Sequence, residues 1–243
     1  MVKIDLVLLA GGHGGSLRPI TEYMPKAMLP LGNKILIHRI LETVTSTCKI
    51  NKIILISNYF CELIFEYVSI LSQAGIINNE LFFFNASSFK PTNGGILQRI
   101  KDKLSNNFIL YYADVLPLYM DFNSLINQHL KKKDSSYLGT LSTSYYYKLE
   151  TGYIETDGEN ITTFTEKPDK DGKLKNMAIG IFKKDLLDTI SNDGDDFYKD
   201  VIPNAIKQGY KFGNYIHEHG WHHFQHINKY HLEQVIKYKE WIK

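Results

Sequence analysis

The chain has 243 residues and a formal net charge of +2, long enough for one large α/β domain and too weakly charged to attract nucleic acid or an anionic membrane. No apolar run reaches the length of a membrane span, and the first residues lack the apolar stretch of a secretion signal. Two cysteines, Cys48 and Cys61, make a disulfide framework unexpected and a reducing cytoplasm the default compartment.

In chain order, residues 4–10 read as a strand. Residues 35–45 have helical spacing through Ile35, Ile37, Ile40, Leu41 and Val44. A strand over 52–57, a helix over 61–73, a strand over 81–85, a helix over 95–104 and a strand over 108–112 follow. Apolar runs this continuous suggest strands buried on both faces of a mainly parallel sheet. Alternation of strand and helix predicts a doubly wound, Rossmann-like α/β fold in three layers, with ligands at the carboxyl ends of the strands. The second half changes texture. Short strands are predicted over 137–142, 153–156, 161–166 and 179–182, with Asp157-Gly158 as a turn, and helices over 185–190, 197–207 and 228–241. No internal repeat and no low-complexity linker interrupts the chain.

The first strand ends in Leu9-Ala10-Gly11-Gly12-His13-Gly14-Gly15-Ser16, four glycines within five residues. A loop nearly free of side chains lets backbone N–H groups close on a ligand, and phosphate is the usual guest. Pro25 fixes the backbone just before Lys26, a cation able to fold back over that guest. Glycines also serve tight turns that hold nothing, so the loop alone leaves the question open.

The longer run from Leu9 to Pro30 resembles, without a gap, the signature of the sugar-1-phosphate nucleotidylyltransferases, Leu-Ala-Gly-Gly-x-Gly-Thr-Arg-Leu-x-Pro-Leu-Thr-x-x-x-Pro-Lys-x-Leu/Met-Leu-Pro. Further segments extend the resemblance. Residues 107–116 look like the family's strand ending in a metal-holding aspartate, here Asp114. Thr92 and Gly94 match a segment that opens a helix and touches the nucleotide base, although Phe89-Lys90-Pro91 replaces the Pro-x-Gly before it. Phe164-Thr165-Glu166-Lys167-Pro168 matches Phe-x-Glu-Lys-Pro, and residues 176–182 resemble Asn-Ala-Gly-Ile-Tyr-Ile-Phe.

The resemblance implies one nucleotidyltransferase domain over residues 1–243, with a nucleotide-binding half to about residue 120 and a sugar-binding half from about residue 121. It has no hexapeptide repeats for the C-terminal β-helix of longer members. The implied reaction joins an NTP and a sugar 1-phosphate into an NDP-sugar and pyrophosphate, with Lys26 and Asp114 as catalytic residues. Leu9, Ala10, Gly11, Gly12, Gly14, Gly15, Ser16, Thr92 and Gly94 would bind nucleotide. Gly152, Glu166, Lys167 and Asn176 would bind the sugar phosphate. A carboxylate suits a vicinal diol, and a second phosphate needs a second cation.

Two positions depart from the pattern. Gly15-Ser16 stands where the family has Thr-Arg, and that arginine contacts the triphosphate. Trp221-His222-His223 stands where the family has Trp-x-Asp, so His223 would join Asp114 as metal ligand. The implied cofactor is Mg2+, with Mn2+ or another divalent ion admitted by His223, because imidazole suits softer metals. An alternative follows from the same departures: an impaired paralogue that binds or senses nucleotide sugars. A third reading takes His217, His219, His222, His223, His226 and His231 as a zinc cluster. The partners expected are the two small substrates, with room for a homo-oligomer or pairing with an active paralogue.

Overall fold

The computed structural model describes residues 2–88, 92–145, 153–165 and 174–225. Its strands are β1 (Ile4–Leu9), β2 (Pro30–Leu31), β3 (Lys34–Ile35), β4 (Lys52–Ser57), β5 (Glu80–Asn85), β6 (Asn107–Tyr112) and β7 (Val115–Pro117). The later strands are β8 (Tyr137–Ser144), β9 (Tyr153–Thr156), β10 (Ile161–Thr165), β11 (Leu174–Lys183), β12 (Lys211–Ile216) and β13 (Trp221–His223). The helices are α1 (Leu36–Thr47), α2 (Cys61–Gln73), α3 (Asn93–Arg99), α4 (Phe122–Lys131) and α5 (Ile202–Lys207).

One sheet runs in the order β10-β9-β11-β6-β1-β4-β5, with β8 and then β12 attached beside β11. Its β5-β4-β1-β6 portion is parallel throughout. The continuous apolar strands are buried on both faces as their composition requires. Leu6 and Leu8 of β1 face a core shared with α1, α2 and α4, while Val7 faces a second core shared with α3 and α5. Helices on both faces give the three-layered α/β architecture. β11 runs antiparallel to β6 and hands the sheet over to its second half.

Several elements differ from their sequence patterns. The helix expected over 95–104 starts at Asn93 and ends at Arg99, followed by a separate 3-10 turn at Lys101–Lys103. Residues 184–189 form a 3-10 helix rather than an α-helix. The helix over 197–207 opens with a π turn, Phe197–Val201, capped by Asp196, whose Oδ1 accepts from both Tyr198 N and Lys199 N. β11 begins at Leu174, five residues before its apolar core, and carries a register shift between Asn176 and Gly180. Ala178 lies within that irregularity at φ +55°. α4, β7, β12 and β13 carry no signal that the apolar patterning picked out. The strand end at residue 166 and the helix over 228–241 lie outside the described residues.

Candidate active site

β1 delivers the glycine loop to the carboxyl edge of the sheet. Ala10 N donates to Ile56 O at 2.8 Å, prolonging the ladder with β4 by one residue. Gly11 packs closely there: a Cβ would stand 2.7 Å from Asn58 Oδ1 and displace that side chain. Gly14 adopts φ +61°, and its carbonyl accepts from Leu17 N at 2.8 Å and from Thr21 Oγ1 at 2.7 Å. A left-handed residue locked by two hydrogen bonds turns the chain into the 3-10 turn Gly15–Leu17. The chain returns through the turn Lys26–Met28, which presents Lys26 to the same edge.

The neighbouring strand supplies the carboxylate. Ala113 N donates to Leu9 O at 3.0 Å, so Asp114 emerges beside the start of the glycine loop. Lys26 Nζ donates to Asp114 Oδ2 at 3.0 Å. β13 pairs antiparallel with β7, His223 opposite Val115, and Phe224 N donates to Asp114 O at 2.8 Å. That pairing brings His223 Nε2 to 3.4 Å from the same Oδ2. Burial opposes ionisation of Asp114, but the hydrogen bonds and charge offered by His223 and Lys26 outweigh it and hold the carboxyl well below the usual carboxylate range.

A pocket of about 260 Å³ opens between these elements. Leu9, Ala10, Gly11, Gly12, Lys26 and Asp114 line it. Asn58 and Asn93, which the sequence patterns did not single out, line it as well. Asn58 follows the last residue of β4, at the strand end where a parallel sheet binds ligands. Asn93 Nδ2 donates to Tyr112 Oη and to Asp196 Oδ2, the latter at 3.1 Å.

Other expected residues lie elsewhere. Ser16 Oγ donates to Gln225 O, tying the glycine loop to the segment after β13. Thr92 N donates to Asp193 O at 3.0 Å and its hydroxyl donates to the carbonyls of Asp193 and Asp195. Gly94 abuts the same loop: a Cβ there would clash with Asp195 O. Thr92 and Gly94 therefore dock the start of α3 on residues 193–195. Asn176 is buried in β11, with Oδ1 accepting from Ala178 N at 3.1 Å. Gly152, Glu166 and Lys167 lie outside the described residues, as do His226 and His231. Among the described residues no group of three or more His, Cys, Asp or Glu side chains is arranged to hold a metal ion.

This arrangement, a glycine loop facing a lysine and a carboxylate at parallel strand ends, suits a phosphorylated ligand. The chain is 29% identical over 207 residues to a putative mannose-1-phosphate guanyltransferase of Sulfolobus acidocaldarius, covering 84% of this chain and 54% of that protein. It is 25% identical to a glucose-1-phosphate adenylyltransferase of Rhodopirellula baltica, covering 85% and 52%. The chain thus spans about half the length of these curated relatives. Among solved structures, a putative glucose-1-phosphate thymidylyltransferase from Bacillus anthracis superposes with a TM-score of 0.82 at 16% identity, covering 98% of this chain and 96% of that one. HddC from Yersinia pseudotuberculosis superposes at 0.75 with 20% identity, covering 96% and 99%. These likenesses show the same fold. The family model for nucleotidyl transferases matches residues 6–230, and the chain belongs to that family.

Proposed function

We propose that the protein transfers a nucleotidyl group from an NTP to a sugar 1-phosphate, releasing an NDP-sugar and pyrophosphate. The observation that carries this reading is the meeting of Lys26 and Asp114 at the mouth of the glycine-loop pocket. A phosphate oxygen of the sugar 1-phosphate attacks the α-phosphorus in line. The bond from that phosphorus to the bridging oxygen breaks, and pyrophosphate leaves with the electron pair. Backbone N–H groups of the loop cradle the phosphates, and Lys26 steadies the α-phosphate as charge develops on it. On the sugar side the reading relies on the motif residues Gly152, Glu166, Lys167 and Asn176.

The donor set fits a divalent cation. Asp114 Oδ1 is buried and accepts no hydrogen bond from the described residues, a state that a carboxylate oxygen avoids unless something else is to meet it. Asp114 and His223 would hold Mg2+ or Mn2+, the imidazole favouring the softer ion. Such an ion supplies charge neutralisation of the triphosphate. The described residues contain no helix long and apolar enough to cross a membrane, and the cytoplasm, where nucleoside triphosphates are made, is the compartment this reading assigns.

The test is pyrophosphate release with each NTP, a panel of hexose and heptose 1-phosphates, and Mg2+ or Mn2+. Turnover with one pair supports the reading. No turnover with any pair, together with calorimetric binding of an NDP-sugar, would replace it with a nucleotide-sugar sensor.

A further inference from the structure

A second cleft opens at the end of the sheet opposite the glycine loop. It lies where β1 begins, between the residues before that strand, the turn from α1 into β4, and α4, and its volume is about 480 Å³. β1 is six residues long, so the cleft stands roughly 17–20 Å from the pocket at the other end of the strand. It shares no lining residue with that pocket, and its size is that of a small-molecule site.

The lining divides by chemistry. Val2, Ile4, Ile126 and Leu130 form an aliphatic wall, the last two standing one turn apart on α4. Ile4 and Ile126 are buried and belong to the core beneath, whereas Val2 is 53% exposed. Lys3 and Lys49, both exposed, bring two ammonium groups from separate segments to the same cleft, and no described carboxylate lines it. Neither lysine pairs with an acid among the described residues, unlike Lys26, Lys34, Lys101, Lys132 and Lys211. The amides beside them are committed: Asn51 Nδ2 donates to Asp5 Oδ1 at 2.8 Å, and Asn123 Nδ2 donates to Thr47 O. Two uncompensated positive charges therefore stand over apolar surface. An anion carried on an aliphatic chain satisfies both halves. Burying the chain removes the wall from water, and the lysines meet the head as point charges with little demand on its shape.

We propose that this cleft binds a free amphiphilic anion, an unbranched aliphatic chain of medium length ending in a carboxylate or phosphate. A free molecule fits better than a bilayer lipid. Val2 is the one strongly exposed apolar residue of the wall, which leaves little to enter a membrane, and a net charge of +2 gives little attraction to an anionic surface.

Calorimetric titration of the full chain with octanoate, acetate and 1-octanol tests the assignment. Octanoate is expected to saturate a single site, and acetate and 1-octanol to bind about tenfold more weakly or less, since each lacks one half of the match. The double variant Lys3→Gln/Lys49→Gln is expected to weaken octanoate about tenfold with an unchanged Tm, while Lys26→Ala binds it as the parent does. No octanoate binding, acetate binding as tight as octanoate, or a double variant equal to the parent overturns the proposal. Loss of octanoate in Lys26→Ala also overturns it, by placing the ligand in the glycine-loop pocket. Co-sedimentation with vesicles of phosphatidylglycerol and phosphatidylcholine, abolished by the two lysine substitutions, would replace the free ligand with a membrane surface. The proposed function rests on the other end of the sheet and stands or falls separately.

Discussion

Lys26 Nζ and Asp114 Oδ2 lie 3.0 Å apart although 88 positions separate them in the chain. The contact exists because β1 and β6 are neighbours in a parallel sheet and both empty at the same edge. Either residue alone is ordinary, and together they join a cation to the carboxylate that would hold the metal. Lys26→Met removes the charge that the proposed function assigns to the reacting phosphate. It is expected to lower pyrophosphate release about 10²-fold or more, read as initial rate at saturating substrates. A variant as active as the parent would take Lys26 out of the site.

His129 predicts an acid-sensitive fold. Its Nδ1 lies 3.2 Å from Thr140 Oγ1 and its Nε2 lies 3.0 Å from Asn107 Oδ1, between α4 and the sheet. Burial, and then the charge of Lys183, push its pKa down to about 4 from 6.5. As pH falls from 6.5 toward 4, the unfolded chain takes a proton that the folded chain refuses, so stability drops. The loss from this residue is on the order of 3 kcal/mol. Burial pushes His38 and His217 in the same direction, so part of the slope remains when His129 is changed. Urea unfolding at pH 7.5 and pH 5 is expected to show a shallower pH dependence for His129→Gln than for the parent. Identical slopes would remove His129 as a source.

The glycine loop and its lysine were legible in the sequence because their physics is local: glycines open the backbone, and a proline fixes the approach to Lys26. The parallel half of the fold was legible for a similar reason, since strands buried on both faces must be continuously apolar. Thr92 shows where such reading stops. Its hydroxyl reaches carbonyls 101 and 103 positions away, and no spacing rule in the chain encodes that pairing. Asn58 and Asn93 are single polar residues at element ends, unremarkable until the sheet sets them around one pocket. β13 is three residues long. Its position is fixed by pairing with β7 rather than by any periodicity of its own.

Ala178 predicts a stabilising substitution. It holds φ +55° at the irregularity of β11, where its N–H donates to Asn176 Oδ1. A Cβ in the left-handed region costs roughly 1–2 kcal/mol, offset in part by the lower backbone entropy of an unfolded chain that carries alanine rather than glycine. Ala178→Gly is expected to gain about 1 kcal/mol and raise Tm by about 2–4 °C, measured by thermal unfolding. A fall in Tm would mean that the methyl group contributes more by packing than it costs in strain.

His223 and Ser16 belong to one physical connection, since Ser16 Oγ donates to Gln225 O and Gln225 N donates to His223 O at 3.0 Å. His223→Asp would turn a second carboxylate toward Asp114, whose Oδ2 now lies 3.4 Å from His223 Nε2, although the shorter side chain stops short of the Nε2 position. Two carboxylates facing each other repel unless a cation lies between them. The variant is therefore expected to melt below the parent in metal-free buffer and to regain its Tm as MgCl2 is added, because an ion bound only by the folded state stabilises it by mass action. The parent, with an imidazole in that position, is expected to respond more to Mn2+ than to Mg2+. Adding Ser16→Arg should raise Mg2+-supported turnover above that of His223→Asp alone, by supplying a cation at the loop. A His223→Asp protein whose Tm ignores Mg2+ would separate residue 223 from the metal site and leave Asp114 as the sole protein ligand in the proposed mechanism.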